Sequence, residues 1–406
     1  MRYLILLYSL FFLFVFMGCK DKKNHKLFSM IILLYLFAGL AAYYIYFNVD
    51  TYRYTELNFG AICYHLILMF LLLIPLRRFD ERSNLPLSDL NLITRAFTFG
   101  VIICSVIYII DGIQYVNIYD ILNDVGSLRS ALNEGEKRSS SSVIGYVAYF
   151  YKTLSVAPLV LMFYYLIKHP EKKIIIFLLV ICSLGTVIVE LRFAAREFLI
   201  KYVYLSFCLF FLLRKHFSQR IRKKIVTAGA AIVGIVLSIF MLITFMRFGD
   251  RDISTFDSML VYLGQGFVNF SEGFVNYPDG LFAQKGTITF PFFAGEYRSS
   301  FKLEDQINSL IPLNVFRTII GSWTLDIGVY LTVLAAIIYA SLFVLIGKNK
   351  YNNVFSYIYI ALALDFSFSL LFFFHENISG TRLVAYIGLY LLDCFSRSNA
   401  KGVKYS

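Results

Sequence analysis

Residues 19 to 47 read CKDKKNHKLFSMIILLYLFAGLAAYYIYF: four lysines within the first eight positions, then 21 residues without a charge. About 20 apolar residues cross a bilayer as a helix, so this stretch reads as a crossing that starts on the cytoplasmic side behind a basic cluster. The pattern recurs along the chain. Apolar runs stand at about 3 to 18, 27 to 47, 59 to 76, 93 to 110, 143 to 167, 174 to 190, 197 to 213, 225 to 246, 324 to 347, 354 to 374 and 382 to 395. They predict an all-α, polytopic membrane bundle of about eleven transmembrane helices with one large extracytoplasmic loop.

Composition agrees. The 406 residues are 59% apolar, 18% aromatic and only 16% charged, with a mean hydropathy of +0.69, where a soluble domain carries about 25% charge. Eleven crossings take roughly 220 residues, which excludes a single-pass receptor and leaves almost half the chain for loops. The net charge of +12 is scattered through short loops between apolar runs, so it does not make a nucleic-acid-binding face.

Charge also sets the orientation. Segments 19 to 26, 77 to 92, 168 to 173, 214 to 224, 348 to 353 and the tail from 396 hold 21 Lys and Arg in 58 residues, whereas the long loop 247 to 323 holds six in 77. The positive-inside rule puts the first set in the cytoplasm, with the N-terminus outside and the C-terminus inside. The expected organisation is an N-terminal bundle of about eight helices over 1–246, the outside loop over 247–323, and C-terminal helices with a cytoplasmic tail over 324–406. Residues 1 to 19 resemble a signal sequence with a loose lipoprotein-type end, Phe16-Met17-Gly18-Cys19, but the lysines that follow suit a cytoplasmic stop better. None of the six cysteines falls in an outside loop, so neither a disulfide framework nor metal-ligand spacing is implied.

The type of base differs between the two sides. Cytoplasmic segments carry 14 Lys and 7 Arg; outside segments carry 3 Lys and 11 Arg. Lysine suffices to set orientation, but a planar guanidinium holds a diphosphate or carboxylate with two parallel hydrogen bonds. Arg192 and Arg196 share a helical face in the short turn between the sixth and seventh runs, beside Glu190 and Glu197. They read either as an anion site or as ion pairs anchoring two helix ends. Arg247 and Arg251 repeat the spacing beside Asp250 and Asp252, with the same two readings. Phe374-His375-Glu376-Asn377 leads to Arg382 across another outside turn; His375 there is a general base or a helix cap.

Two further features bear on the bundle. Gly266-Phe267-Val268-Asn269 is echoed seven residues on by Gly273-Phe274-Val275-Asn276, which suits an amphipathic helix at the interface or aromatic turns packed on the bundle. Lys152 and Asp365 each lie nine residues inside the outer end of their runs, about 13 Å deep at the helical rise. Equal depth predicts an intramembrane ion pair between them.

Glu190-Leu191-Arg192-Phe193-Ala194-Ala195-Arg196-Glu197-Phe198-Leu199 resembles the arginine-centred turn of the Wzy-type polymerases of bacterial O-antigen and capsular polysaccharide, with Arg196 the better match. Asn314-Val315-Phe316-Arg317-Thr318 through Asp326-Ile327-Gly328 resembles that family's Asn-aromatic-Thr and Asp-aromatic-Gly pattern at the end of the large loop. The stretches cover about 25 residues, and Ile327 stands in the aromatic place.

The resemblance implies a metal-independent, cofactor-free glycosyltransferase of the bacterial inner membrane. It would join undecaprenyl-diphosphate-linked repeat units on the periplasmic face, with a chain-length regulator and a flippase as partners. Arg192, Arg196, Arg247, Arg251, Arg317 and Arg382 are the candidate diphosphate ligands. Arg196, His375, Glu376 and Asp326 are the candidate catalytic groups, and Asn314, Trp323 and Tyr262 the candidate sugar contacts. A lipid-linked glycan ligase, another GT-C-like transferase using Asp50 in the first outside loop, or a polysaccharide flippase are the alternatives. No phosphate-cradling glycine loop occurs, which argues against ATP-driven chemistry.

Overall fold

The computed structural model describes residues 2–19, 25–53, 55–82, 87–89, 91–114, 116, 142–190, 197–248, 254–275, 318–346, 353–372 and a few positions between 385 and 394. Among these the regular structure is helical, without a strand. In chain order the helices are α1 (Leu6–Cys19, after a 3-10 turn), α2 (Lys26–Asn48), the short α3 (Asp50–Arg53), α4 (Phe59–Arg82) and α5 (Leu92–Ile113). Then come α6 (Ser142–Thr153), α7 (Ala157–Lys168), α8 (Lys173–Ser183), α9 (Gly185–Glu190), α10 (Glu197–Leu213) and α11 (Gln219–Phe248). The last four are α12 (Thr255–Val275), α13 (Ile319–Ile327), α14 (Val329–Ile346) and α15 (Val354–Phe372).

Five described stretches are long and apolar enough to cross a membrane: Lys26–Asn48, Phe59–Arg77, Leu92–Ile113, Lys173–Glu190 and Val354–Phe372. Tyr3–Cys19, Ala157–Lys168 and Val329–Phe343 are apolar but shorter. The chain is therefore a helical, membrane-embedded protein. The apolar run at 143–167 is broken, because Pro158 lacks an N–H and its ring crowds the carbonyl four residues back. Residues Leu154–Val156 turn instead, and Ala157 N–H bonds the Leu154 carbonyl at 2.8 Å. The run at 174–190 breaks at Leu184, between α8 and α9.

Contacts divide the chain into two compact units, each gathered from separate stretches. The first comprises Met1–Arg82, Phe256–Lys348 and Phe366–Leu383; the second comprises Ser83–Thr255, Asn349–Asp365 and Val384–Ser406. Within the first, α1 lies along α2 so closely that a side chain at Gly39 would meet the Ser9 backbone at 2.9 Å, the small-residue contact by which membrane helices associate. The Tyr35 hydroxyl ties α2 to α15 by donating to the Ser367 carbonyl at 2.5 Å.

Of the two readings of the aromatic repeat in the large loop, the structure has the packed one. The loop's α12 is not an amphipathic surface helix: Phe267, Val268, Phe270 and Ser271 are all buried, so the aromatic turns pack into the first unit. Any side chain at Gly264 would collide with the backbone of Ala41 and Ala42 in α2. The loop also does not run straight into the ninth crossing. It ends in α13, which stops at Gly328 with φ of 85°, a left-handed conformation that only glycine adopts without strain. That angle accounts for the glycine of the second family-like stretch.

Candidate functional site

The second unit carries charge inside its helices. α6 brings Tyr151 and Lys152 to the broken α8–α9 pair. The Tyr151 hydroxyl donates to the Cys182 carbonyl at 2.7 Å, one of the acceptors that loses its helical partner near the break. It occupies the space a side chain at Gly185 would need, 2.5 Å from the Cβ position. One residue on, Lys152 Nζ reaches Glu190 Oε1 at 2.6 Å, and the Tyr108 hydroxyl of α5 donates to the same oxygen at 3.1 Å. The rings of Tyr108 and Tyr151 lie 4.6 Å apart and close the cluster with Val189.

A second pair joins α10 to α15. Lys201 Nζ lies 2.7 Å from Asp365 Oδ1, with both side chains buried, and the Lys201 ammonium also lies 5.8 Å from the Phe198 ring centre. Ser183 and Tyr202 share a hydrogen bond of 3.2 Å between α8 and α10.

These distances correct the expected Lys152–Asp365 pair: both residues are paired, but with other partners. Counting depth from the end of each apolar run assumes that every run begins at the same level. Glu190, the last residue of its run, is level with Lys152, nine residues from the start of its own; Lys201, four residues into its run, is level with Asp365, nine residues from the end of its own. The paired positions thus differ in depth along their apolar runs by roughly 13 and 8 Å at 1.5 Å per residue. Lys201 lies within an apolar run and so carried the signal; equal sequence depth favoured Lys152 instead.

The first unit has a neutral polar centre. His65 of α4 is fully buried. Its Nδ1 shares a hydrogen bond with the Tyr8 hydroxyl at 2.8 Å, and its Nε2 shares one with Thr318 Oγ1 at 2.8 Å. The ring stacks on Phe270 at 4.0 Å and meets Phe267 edge-on at 5.8 Å. Thr318 also caps α13. One imidazole therefore contacts α12 and the start of α13, the two sides of the large loop. No motif in the sequence pointed to it beyond a histidine inside an apolar run.

Other expected residues fall variously. Asp326 is fully buried in α13, a poor position for a base that meets an acceptor sugar. Trp323 packs on Phe366 at 5.4 Å, and Tyr262 stacks on Phe372 at 5.5 Å, so each has a ring face taken by the core. Arg247 lies within α11. Asp50 is exposed, 3.8 Å from Arg53. Nearby, Tyr52 bonds Gln265 at 3.1 Å; burial, with Glu272 adding, pushes its phenol up to about 12. Arg192, Arg196, Arg251, Asn314, Arg317, His375, Glu376 and Arg382 lie outside the described residues.

No family model, curated protein or solved structure matches this chain.

Proposed function

We propose that the chain is a glycosyltransferase that joins undecaprenyl-diphosphate-linked oligosaccharide repeat units into O-antigen or capsular polysaccharide on the periplasmic face of the bacterial inner membrane. The observation that carries the reading is the pairing of Glu190. It holds the Lys152 ammonium and the Tyr108 hydroxyl, so α6 supplies it with a cation besides the two arginines of the adjoining turn. In the sequence the turn between Glu190 and Glu197 carries Arg192 and Arg196, and these are the bases the reading assigns to an anionic ligand. The preference for arginine on the outside supports the same ligand.

In the reaction, the bond between the donor's anomeric carbon and its diphosphate breaks as the acceptor hydroxyl attacks. The acceptor proton passes to a base, for which His375 and Glu376 are better candidates than the buried Asp326. Arg192, Arg196, Arg247, Arg251, Arg317 and Arg382 are the groups to hold the departing diphosphate, whose growing charge a guanidinium stabilises more than it stabilises the bound ester.

A second reading, movement of lipid-linked saccharide across the bilayer, draws on the broken helices and intramembrane charges of the second unit. One experiment separates the two. Wild type is expected to restore long glycan chains in a strain lacking its polymerase, while Arg196→Lys lowers chain formation at least tenfold at equal expression, because a single ammonium cannot reproduce the bidentate grip. Long chains from the variant overturn the role of Arg196; transported but unlengthened units favour the second reading.

A further inference from the structure

The turn between α10 and α11 forms a cavity of its own within the second unit. α10 ends in a 3-10 turn at Arg214–His216, after which Phe217 folds inward, stacking on Phe210 at 6.1 Å and meeting Phe163 at 6.0 Å. Ser218 starts the returning helix: its side chain accepts from Ile221 N–H at 3.4 Å and its carbonyl from Arg222 N–H at 2.9 Å. Between the two helix ends lies a cavity of about 720 Å³, lined by Arg214, Lys215, Arg222 and Lys223 together with Phe210, Val226 and Thr227.

Three observations distinguish this cavity from scattered interfacial bases. The Arg214 guanidinium lies 4.0 Å from the Phe211 ring centre, a cation–π contact that restrains it. No acidic residue occurs between Glu197 and Asp250, and among the described residues no carboxylate pairs with Arg214, Arg222 or Lys223. Val226 is 54% exposed, so hydrocarbon surface adjoins the charged rim. A concave site lined by both bases and apolar side chains matches an amphiphile with an anionic head.

We infer that this cavity binds an anionic phospholipid of the leaflet facing residues 214–224. Its phosphodiesters sit among the four bases, and its acyl chains run along Phe210 and Val226. The site is independent of the glycosyl-transfer reading and requires only that the protein lie in a membrane. Four bases can serve the two phosphodiesters of a cardiolipin-type head, whereas a zwitterionic head brings its own cation and gains less.

The test uses the full-length protein in detergent, titrated separately with short-chain cardiolipin, phosphatidylethanolamine and inorganic pyrophosphate, with bound species counted by native mass spectrometry. Cardiolipin is expected to bind much more tightly than the other two. Arg214→Gln with Arg222→Gln should weaken it about 30-fold, at the usual contribution of a base near an anionic lipid. Arg220→Gln with Lys224→Gln removes the same charge from the same turn outside the cavity and should change binding less than threefold. Equal losses in the two pairs, or pyrophosphate binding as tightly as cardiolipin, overturn the proposal. Val226→Glu retains every base and serves if the first pair does not fold; it should weaken cardiolipin similarly, and unchanged binding would again overturn the proposal.

Discussion

In the second unit, two lysines inside the helices meet two carboxylates at 2.6 and 2.7 Å; in the first, a fully buried imidazole lies between two hydroxyls and two phenyl rings. Both arrangements satisfy polar groups among apolar helices, but they differ in what happens when a member is lost. Removing one partner of a buried ion pair leaves an uncompensated charge. Removing one hydroxyl beside a neutral imidazole leaves only an unsatisfied hydrogen bond. The charged arrangement therefore specifies which helices meet, while the neutral one fixes α4 against α12 and the start of α13 with graded strength.

The largest expected effect tests that distinction directly. Asp365→Leu should lower stability by about 3–5 kcal/mol by stranding Lys201, seen as loss of monodisperse protein and a lower melting temperature. Lys201→Met combined with Asp365→Leu should recover most of it. Equal damage from the single and double variants would mean that the pair does not act as a unit.

A smaller effect concerns the break that brings the second unit's cluster together. Gly185→Ala drives a methyl into the Tyr151 hydroxyl and should cost roughly 1–3 kcal/mol. Adding Tyr151→Phe removes the clashing oxygen and should return part of that loss in the melting curve.

The neutral centre should respond more gently. Tyr8→Phe or Thr318→Val removes one partner of His65 and should cost about 1–2 kcal/mol. Protease cleavage within residues 276–317 should also become faster if this contact restrains the loop; an unchanged cleavage rate would separate His65 from loop placement.

The smallest effect is at the surface. Lys168 donates to Asp89 at 2.9 Å, and this hydrogen bond, with the lysine's charge, holds the Asp89 carboxyl below its ordinary range. A carboxyl depressed in the folded state stabilises above its unfolded pKa and loses that contribution as pH falls through the folded value. Asp89 is 91% exposed, so screening keeps the effect below about 1 kcal/mol. Lys168→Met should lower the melting temperature slightly at pH 7 and not at pH 2. An equal decrease at both pH values would show that Lys168 acts by packing.

Much of the helical pattern was legible because a charge-free run of 20 residues has few alternatives in a chain this apolar. α10 spans Glu197–Leu213, the same limits as its apolar run, and α2 and α15 come within two residues of theirs. The partners of the buried charges were not legible. Lys152, Glu190, Lys201 and Asp365 could each be recognised, but their pairing depends on where Pro158 and Leu184 interrupt the helices and on how far α9 and α10 are set inward. The packing of α12 was equally hidden: an aromatic repeat at seven-residue spacing fits a membrane surface or a protein core, and the close approach at Gly264 decides for the core.

By itself the sequence determined that this is a helical membrane protein, because the length and polarity of each run are local properties and transfer free energies add along a segment. It also located the arginine-bearing turns and the basic turn at 214–224. Only the tertiary structure decided which lysine neutralises which acid, that His65 touches both flanks of the large loop, and that four bases surround one cavity. Those are contacts between residues distant in the chain, set by helix breaks, tilt and backbone approach, and none of these leaves a periodic trace in the sequence.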